Sequence, residues 1–137
     1  MIFVDSSVWI SAFRDGQSPE ARGLTRLLDS DEVALSIPVF LEMLTSRGLG
    51  RENRYHLRRV LSALPVFYPS VETWARIGKW IDRAAHRGDQ FGVRDLLVAS
   101  IAADRSAPVW SLAVDFQRMS RLFHFVGLYR PSVEDGS

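Results

Sequence analysis

Four apolar runs of strand length, each separated from the next by helical sequence, constrain this chain more than any other feature. They are Met1–Val4, Val33–Ile37, Val66–Tyr68 and Val109–Leu112. Parallel strands cannot be joined by tight hairpins and need long crossovers, usually helices. The intervening segments fit that role. Val8–Arg14 reads as a short helix that Ser6 or Ser7 can cap. Ser18-Pro19-Glu20 combines a cap, a first-position proline and an early acid, and opens a helix to about Leu28. Further helices are expected from Pro38 to near Gly48, over Glu52–Leu64, from Ser70 to about Arg87, over Arg94–Ala103 and over Phe116–Leu122. In the long helix after Ser70, the spacing of Val71, Trp74, Ile77, Ile81 and Ala84 suggests a core face. The alternation predicts an α/β fold: three layers, α/β/α, around a short, mostly parallel sheet of four to five strands. Phe123–Leu128 is the candidate fifth strand. Residues 1–130 read as one domain and 131–137 as a flexible tail.

With 137 residues and 47% hydrophobic content, the chain can bury a full core without staples. It has no cysteine, which excludes disulfides, a thiol nucleophile and cysteine zinc sites, and suits a reducing cytosol. No stretch resembles a signal sequence or a bilayer span, so a cytoplasmic protein without a membrane partner is expected. Net charge is only +1, yet Lys79 is the only lysine among the 17 cations. Arginine prefers bidentate contact with carboxylate or phosphate; GC-rich codon usage would produce the same bias.

Four acids stand where apolar segments end or turn. Asp5 follows Ile2-Phe3-Val4, and Glu42 lies within Pro38-Val39-Phe40-Leu41-Glu42-Met43-Leu44. Asp95 opens Asp95-Leu96-Leu97-Val98-Ala99, and Asp115 follows the fourth strand. A lone buried carboxylate costs several kcal/mol. In open parallel sheets, sites form beyond the carboxyl ends of the strands. Connectivity puts Asp5, Asp115 and Glu42 near that end, and Asp95 in the first turn of its helix. Carboxylates that converge repel one another and call for a cation between them. Hard divalent ions take oxygen ligands, so a metal-dependent enzyme is a candidate.

These same residues carry a family resemblance. Met1-Ile2-Phe3-Val4-Asp5-Ser6-Ser7-Val8-Trp9-Ile10 resembles the opening of PIN-domain proteins, and Ile37-Pro38-Val39-Phe40-Leu41-Glu42 their second motif. Arg94-Asp95-Leu96-Leu97-Val98-Ala99-Ser100-Ile101-Ala102 is similar to the third, and Trp110-Ser111-Leu112-Ala113-Val114-Asp115-Phe116 to the fourth. The single-domain size resembles the VapC toxins of bacterial type II toxin–antitoxin pairs. The resemblance implies a Mg²⁺- or Mn²⁺-dependent endoribonuclease that cleaves RNA phosphodiester bonds. It further implies inhibition by a small VapB-like antitoxin, and a homodimer or a higher toxin–antitoxin assembly. Asp5, Glu42, Asp95 and Asp115 would be catalytic, with Asp5, Asp95 and Asp115 as metal ligands. Ser6 and Ser111 match hydroxyl positions that support the acidic site. The fourth motif departs: where many relatives carry an acid or Asn two residues before the Asp, this chain has Ala113. The alternative is a non-catalytic PIN-like module that binds RNA or protein.

Other residues have plainer readings. Asp89 is the best further candidate for a supporting role; Asp29, Asp31, Glu32 and Asp82 read as solvated. His56, His86 and His124 lack metal-pair spacing. Arg47, Arg51, Arg54 and Arg58 belong to the densest basic run, with 51, 54 and 58 on one helical face. They are either a solvated face, an RNA-phosphate surface or a contact for an acidic antitoxin segment. Trp9, Phe13, Leu24 and Leu28 are core, or continue into a partner groove or dimer face. A phosphoacceptor receiver domain would need an Asp after the middle strand, where Tyr68-Pro69-Ser70 stands. A haloacid-dehalogenase-like phosphatase would need an Asp at Ser7.

Overall fold

The computed structural model describes residues 1–131. The expected tail, apart from Pro131, lies outside the described residues. Strand β1 is Ile2–Val4, followed by α1 (Ser6–Arg14), α2 (Pro19–Asp29), β2 (Val33–Ser36), α3 (Ile37–Thr45) and α4 (Arg51–Ser62). Then come β3 (Val66–Phe67), α5 (Val71–His86), α6 (Val93–Asp104), β4 (Val109–Trp110) and α7 (Val114–Leu122).

The four strands form one sheet in the order β3-β2-β1-β4, every pair parallel. Ile2 pairs with Val33, Phe3 with both Ala34 and Val109, and Val4 with Trp110. Leu35 pairs with Val66 at the edge. Because every pair is parallel, all the strands release their chains at one edge of the sheet. Every residue of β1, β2 and β4 is buried whichever way it points. Both faces are therefore covered, as a three-layer parallel sheet requires. Val8, Trp9, Leu35, Leu96, Ile101 and Phe116 are among the core side chains.

Local chemistry sets the helix starts. Ser18 Oγ accepts from the Ala21 amide, with Pro19 in the first position of α2. Ser70 and Thr73 form a reciprocal capping box on α5, each side chain accepting from the other's amide.

Three expectations change. The candidate fifth strand is reduced to one parallel bridge, Val109 to Leu128. Phe123 and Val126 are drawn into the core, with Phe123 stacked on Trp80 at 4.7 Å. The backbone turns between them, and the segment is tied to the sheet by the Val109 amide donating to the Gly127 carbonyl and the Tyr129 amide to the Val109 carbonyl. Helix α1 starts at Ser6 rather than Val8, with Asp5 in the cap position. Finally, α5 is rotated by one stripe. Thr73, Ile77, Trp80 and Ala84 are buried, while Val71, Trp74 and Ile81 are exposed. The two stripes are adjacent on the helix, and the aromatic stacking of Trp80 on Phe123 decides which one faces inward.

Candidate active site

Asp5 follows the last residue of β1, and its amide donates to the Trp110 carbonyl of β4 at 2.8 Å. That bond fixes the start of α1 to the neighbouring strand. Although Asp5 occupies the cap position, its side chain makes no capping bond. It is turned to a polar cluster and is almost wholly buried, at 2% exposure. Oδ2 accepts from Ser111 Oγ at 2.8 Å and from Ser7 Oγ at 3.1 Å; Oδ1 accepts from Arg94 Nη2 at 2.6 Å. Ser7 in turn accepts from the Leu112 amide at 3.0 Å, so the two hydroxyls tie the loop after β4 to α1.

Arg94 is the centre of the cluster. From the first turn of α6, its Nη2 reaches Glu42 Oε1 at 2.6 Å and Ser6 Oγ at 2.7 Å, besides Asp5. Nε lies 3.1 and 3.2 Å from the two Glu42 oxygens, and Nη1 2.8 Å from Asp95 Oδ1. Acids from the β1–α1 junction, α3 and α6 thus meet on one guanidinium. Burial is the largest single influence on Arg94 and opposes its charge. The Glu42 hydrogen bond, the field of Asp5 and the bonds to Asp95 and Asp5 outweigh it, so its pKa lies above the ordinary arginine value. Three carboxylates against one guanidinium leave two negative charges uncompensated within this group.

Asp115 stands in a separate ion pair. It lies in the first turn of α7, and Ala113 occupies that helix's cap position. Arg118 Nη1 donates to Asp115 Oδ1 at 2.8 Å, and Arg118 Nη2 to Asp89 Oδ1 at 2.7 Å. The hydrogen bond to Asp89, then that to Asp115, raises the Arg118 pKa. The guanidinium also lies 4.6 Å over the Phe91 ring. Asp89 and Asp115 therefore share one arginine.

The fit to a metal is set by this donor set. Asp5, Glu42 and Asp95 supply only oxygens, as a hard divalent cation requires, and the same oxygens already surround a cation. With the guanidinium among them, no three His, Cys, Asp or Glu side chains among the described residues stand close enough to hold one ion. The residues fit a metal in chemistry and charge, provided Arg94 yields its place.

Two contributors carry little signal in the sequence. Arg94 stands out there only as a neighbour of Asp95, although an arginine in the first turn of an otherwise apolar helix needs an anionic partner. Ser7 looks like no more than a possible cap, and its link to Ser111 spans 104 residues. Among the described residues Ser36 Oγ is buried without a hydrogen-bond partner, and extending the β1–β2 register by two residues puts Ser36 beside Asp5.

Two surface hollows are lined by other residues. Arg47, Arg51, Arg54 and Arg58 line one open pocket of about 540 Å³ with Gly48 and Tyr55. Gly48 has φ +93, which brings the loop after α3 back towards α4, and Arg58 donates to the Leu44 carbonyl at 3.2 Å. A second hollow of about 360 Å³ lies between α1, α2 and α4, lined by Phe13, Leu24, Leu28, His56 and Val60 among others. Trp9 is wholly buried beneath it, whereas Phe13 and Leu28 are half-buried.

The PIN domain family model matches residues 2–122. The chain belongs to the PIN domain family. It is 29% identical over 126 residues to a VapC ribonuclease of Mycobacterium bovis and, at the same figure, to ribonuclease VapC11 of Mycobacterium tuberculosis; the match covers 89% of this chain and 93% of each relative. In fold it is similar to a chain of Rickettsia felis VapBC2, a structure bound to a DNA fragment from the promoter. The TM-score is 0.76 at 20% identity, covering 96% of this chain and 100% of the other.

Proposed function

We propose that this chain is a Mg²⁺- or Mn²⁺-dependent endoribonuclease and the toxin of a VapBC-type pair. The meeting of Asp5, Glu42 and Asp95, from three separate elements, on one cation carries the reading. The ribonuclease names of the relatives support the substrate class.

Asp5 and Asp95 would hold the metal, with Asp5 fixed in place by Ser7 and Ser111. A bound divalent ion lowers the pKa of its water and stabilises charge on the phosphate in flight. Glu42, with its side chain 43% exposed, is the acid best placed to orient water and accept its proton. Asp115, whose Oδ1 pairs with Arg118, would join directly, through water or at a second ion. The arginine pocket would hold RNA phosphates, and Tyr55, 67% exposed, could stack against a base. The hollow between α1, α2 and α4 suits the apolar face of an antitoxin helix. The exposed stripe of Val71, Trp74 and Ile81 suits a second copy of the chain.

The test is cleavage of RNA by the purified chain with Mg²⁺ or Mn²⁺ and with EDTA. Cleavage only with metal supports the enzyme, while RNA binding without cleavage supports a non-catalytic module. The phosphate surface has its own readout. Without metal, the Arg51→Ala/Arg54→Ala variant should bind RNA more weakly, and its log–log salt slope should be shallower by about 0.7 for each phosphate it no longer neutralises. An unchanged slope in fluorescence titrations over a salt series would remove the pocket from the RNA path.

A further inference from the structure

We propose that Arg94 is the resident cation of the acidic centre and competes with the divalent metal for the oxygens of Asp5, Glu42 and Asp95. The inference rests on the nuclease reading and deepens it, because it concerns what controls metal loading at the same site.

The geometry is unusual for a merely structural ion pair. An arginine on a surface typically pairs with one carboxylate and contributes little. Arg94 forks across three, and its Nη2 alone contacts Asp5, Glu42 and Ser6 within 2.7 Å. One of these acids, Asp5, is nearly inaccessible to water, and its other oxygen is already taken by two serine hydroxyls. The oxygen left for a metal, Oδ1, is the one Arg94 holds. Arg94 likewise holds Asp95 Oδ1 and Glu42 Oε1. A divalent ion and this guanidinium thus draw on the same three carboxylates, and at Asp5 on the same oxygen, so each weakens the hold of the other.

The arrangement also permits exchange. The Arg94 side chain is 31% exposed, and the Glu42 side chain 43%. The guanidinium can therefore leave on the solvent side without disturbing the core behind Asp5. In the metal-free chain it keeps three like charges together; once a metal takes its place, it is freed to meet an anion such as an RNA phosphate. Charge favours the exchange, since a divalent ion compensates three carboxylates better than a single guanidinium does.

The experiment compares Mn²⁺ binding by calorimetry, and thermal midpoints with and without Mn²⁺, for the wild-type chain, Arg94→Gln and Arg94→Lys. Arg94→Gln should have a lower midpoint without metal. It should also bind Mn²⁺ about 10-fold tighter or more, within the roughly 5–150-fold range of coupling between interacting binding events. Arg94→Lys, which keeps the charge but loses the fork, should fall between the two. If Arg94→Gln folds only when Mn²⁺ is present, that also supports the proposal, and the affinity comparison is then read from the lysine variant. Equal or weaker Mn²⁺ affinity in the folded variants, with a wild-type chain that binds Mn²⁺ and cleaves RNA, overturns the competition and leaves the nuclease reading intact. A wild-type chain that neither binds millimolar Mn²⁺ nor cleaves RNA overturns both.

Discussion

Asp5→Asn should lower RNA cleavage about a thousandfold, because a catalytic metal contributes several kcal/mol of charge stabilisation and each ~1.4 kcal/mol is a factor of ten. Asp5 is the buried member of the acidic centre and the one with most partners. Asparagine keeps its shape and can still accept from Ser7 and Ser111 through its carbonyl oxygen. What disappears is the charge that Arg94, or a metal in its place, answers. The loss should therefore appear in kcat, with the circular dichroism spectrum kept and KM changed little. Single-turnover cleavage of a labelled RNA measures it. A variant within a few-fold of wild type would show that Asp5 is a structural acid only.

Trp9→Ala should cost about 3–5 kcal/mol of stability, the range for deleting a buried large aromatic, and lower the thermal midpoint by roughly 10–20 °C. Trp9 has no exposed surface, and its Nε1 donates to the Val4 carbonyl at 3.2 Å. It thereby fastens α1 to β1 one residue before Asp5. Phe13, at 6.4 Å, continues the aromatic packing to His56 at 5.5 Å. The cavity would open near the hollow between α1, α2 and α4, so any partner docked there as proposed should also bind more weakly. Denaturant melts of the two proteins, fitted with a common slope, give the difference. A loss below about 1 kcal/mol would mean that the site collapses around the alanine, or that α1 is held mainly by its backbone.

The parts of this molecule that are legible in sequence are those written in short range. The apolar runs mark all four strands, because a buried parallel strand needs apolar residues on both faces. An acid directly after such a run, as at Asp5, is conspicuous for the same reason. The capping chemistry of Ser18 and Ser70 is legible from three or four residues each. Glu42 and Asp95 stand out through motif resemblance, and the geometry joins them to Asp5 through Arg94.

What could not be read is decided at long range. On α5, two neighbouring apolar stripes compete, and the place of Phe123, beyond α7, settles that Trp80 turns inward and Trp74 outward. The end of the chain looks like a strand because Phe123, Phe125 and Val126 are β-prone. It turns instead, because two of the three are pulled into the core. Arg94 lies next to Asp95, yet three of its four polar partners come from positions 52 to 89 residues away. The pairing of Asp115 with Arg118 has helical spacing and is in principle visible. The bond from Arg118 to Asp89 is not.

Mapping the RNA ends made by the wild-type chain under Mg²⁺, beside Asp95→Asn, decides whether the acidic centre works through a metal. If metal-activated water attacks the phosphorus, the products carry a plain hydroxyl and a monophosphate, EDTA abolishes them, and Asp95→Asn loses them. Products ending in a 2′,3′-cyclic phosphate, or cleavage that persists in EDTA and in Asp95→Asn, would contradict a metal centre built on Asp5, Glu42 and Asp95.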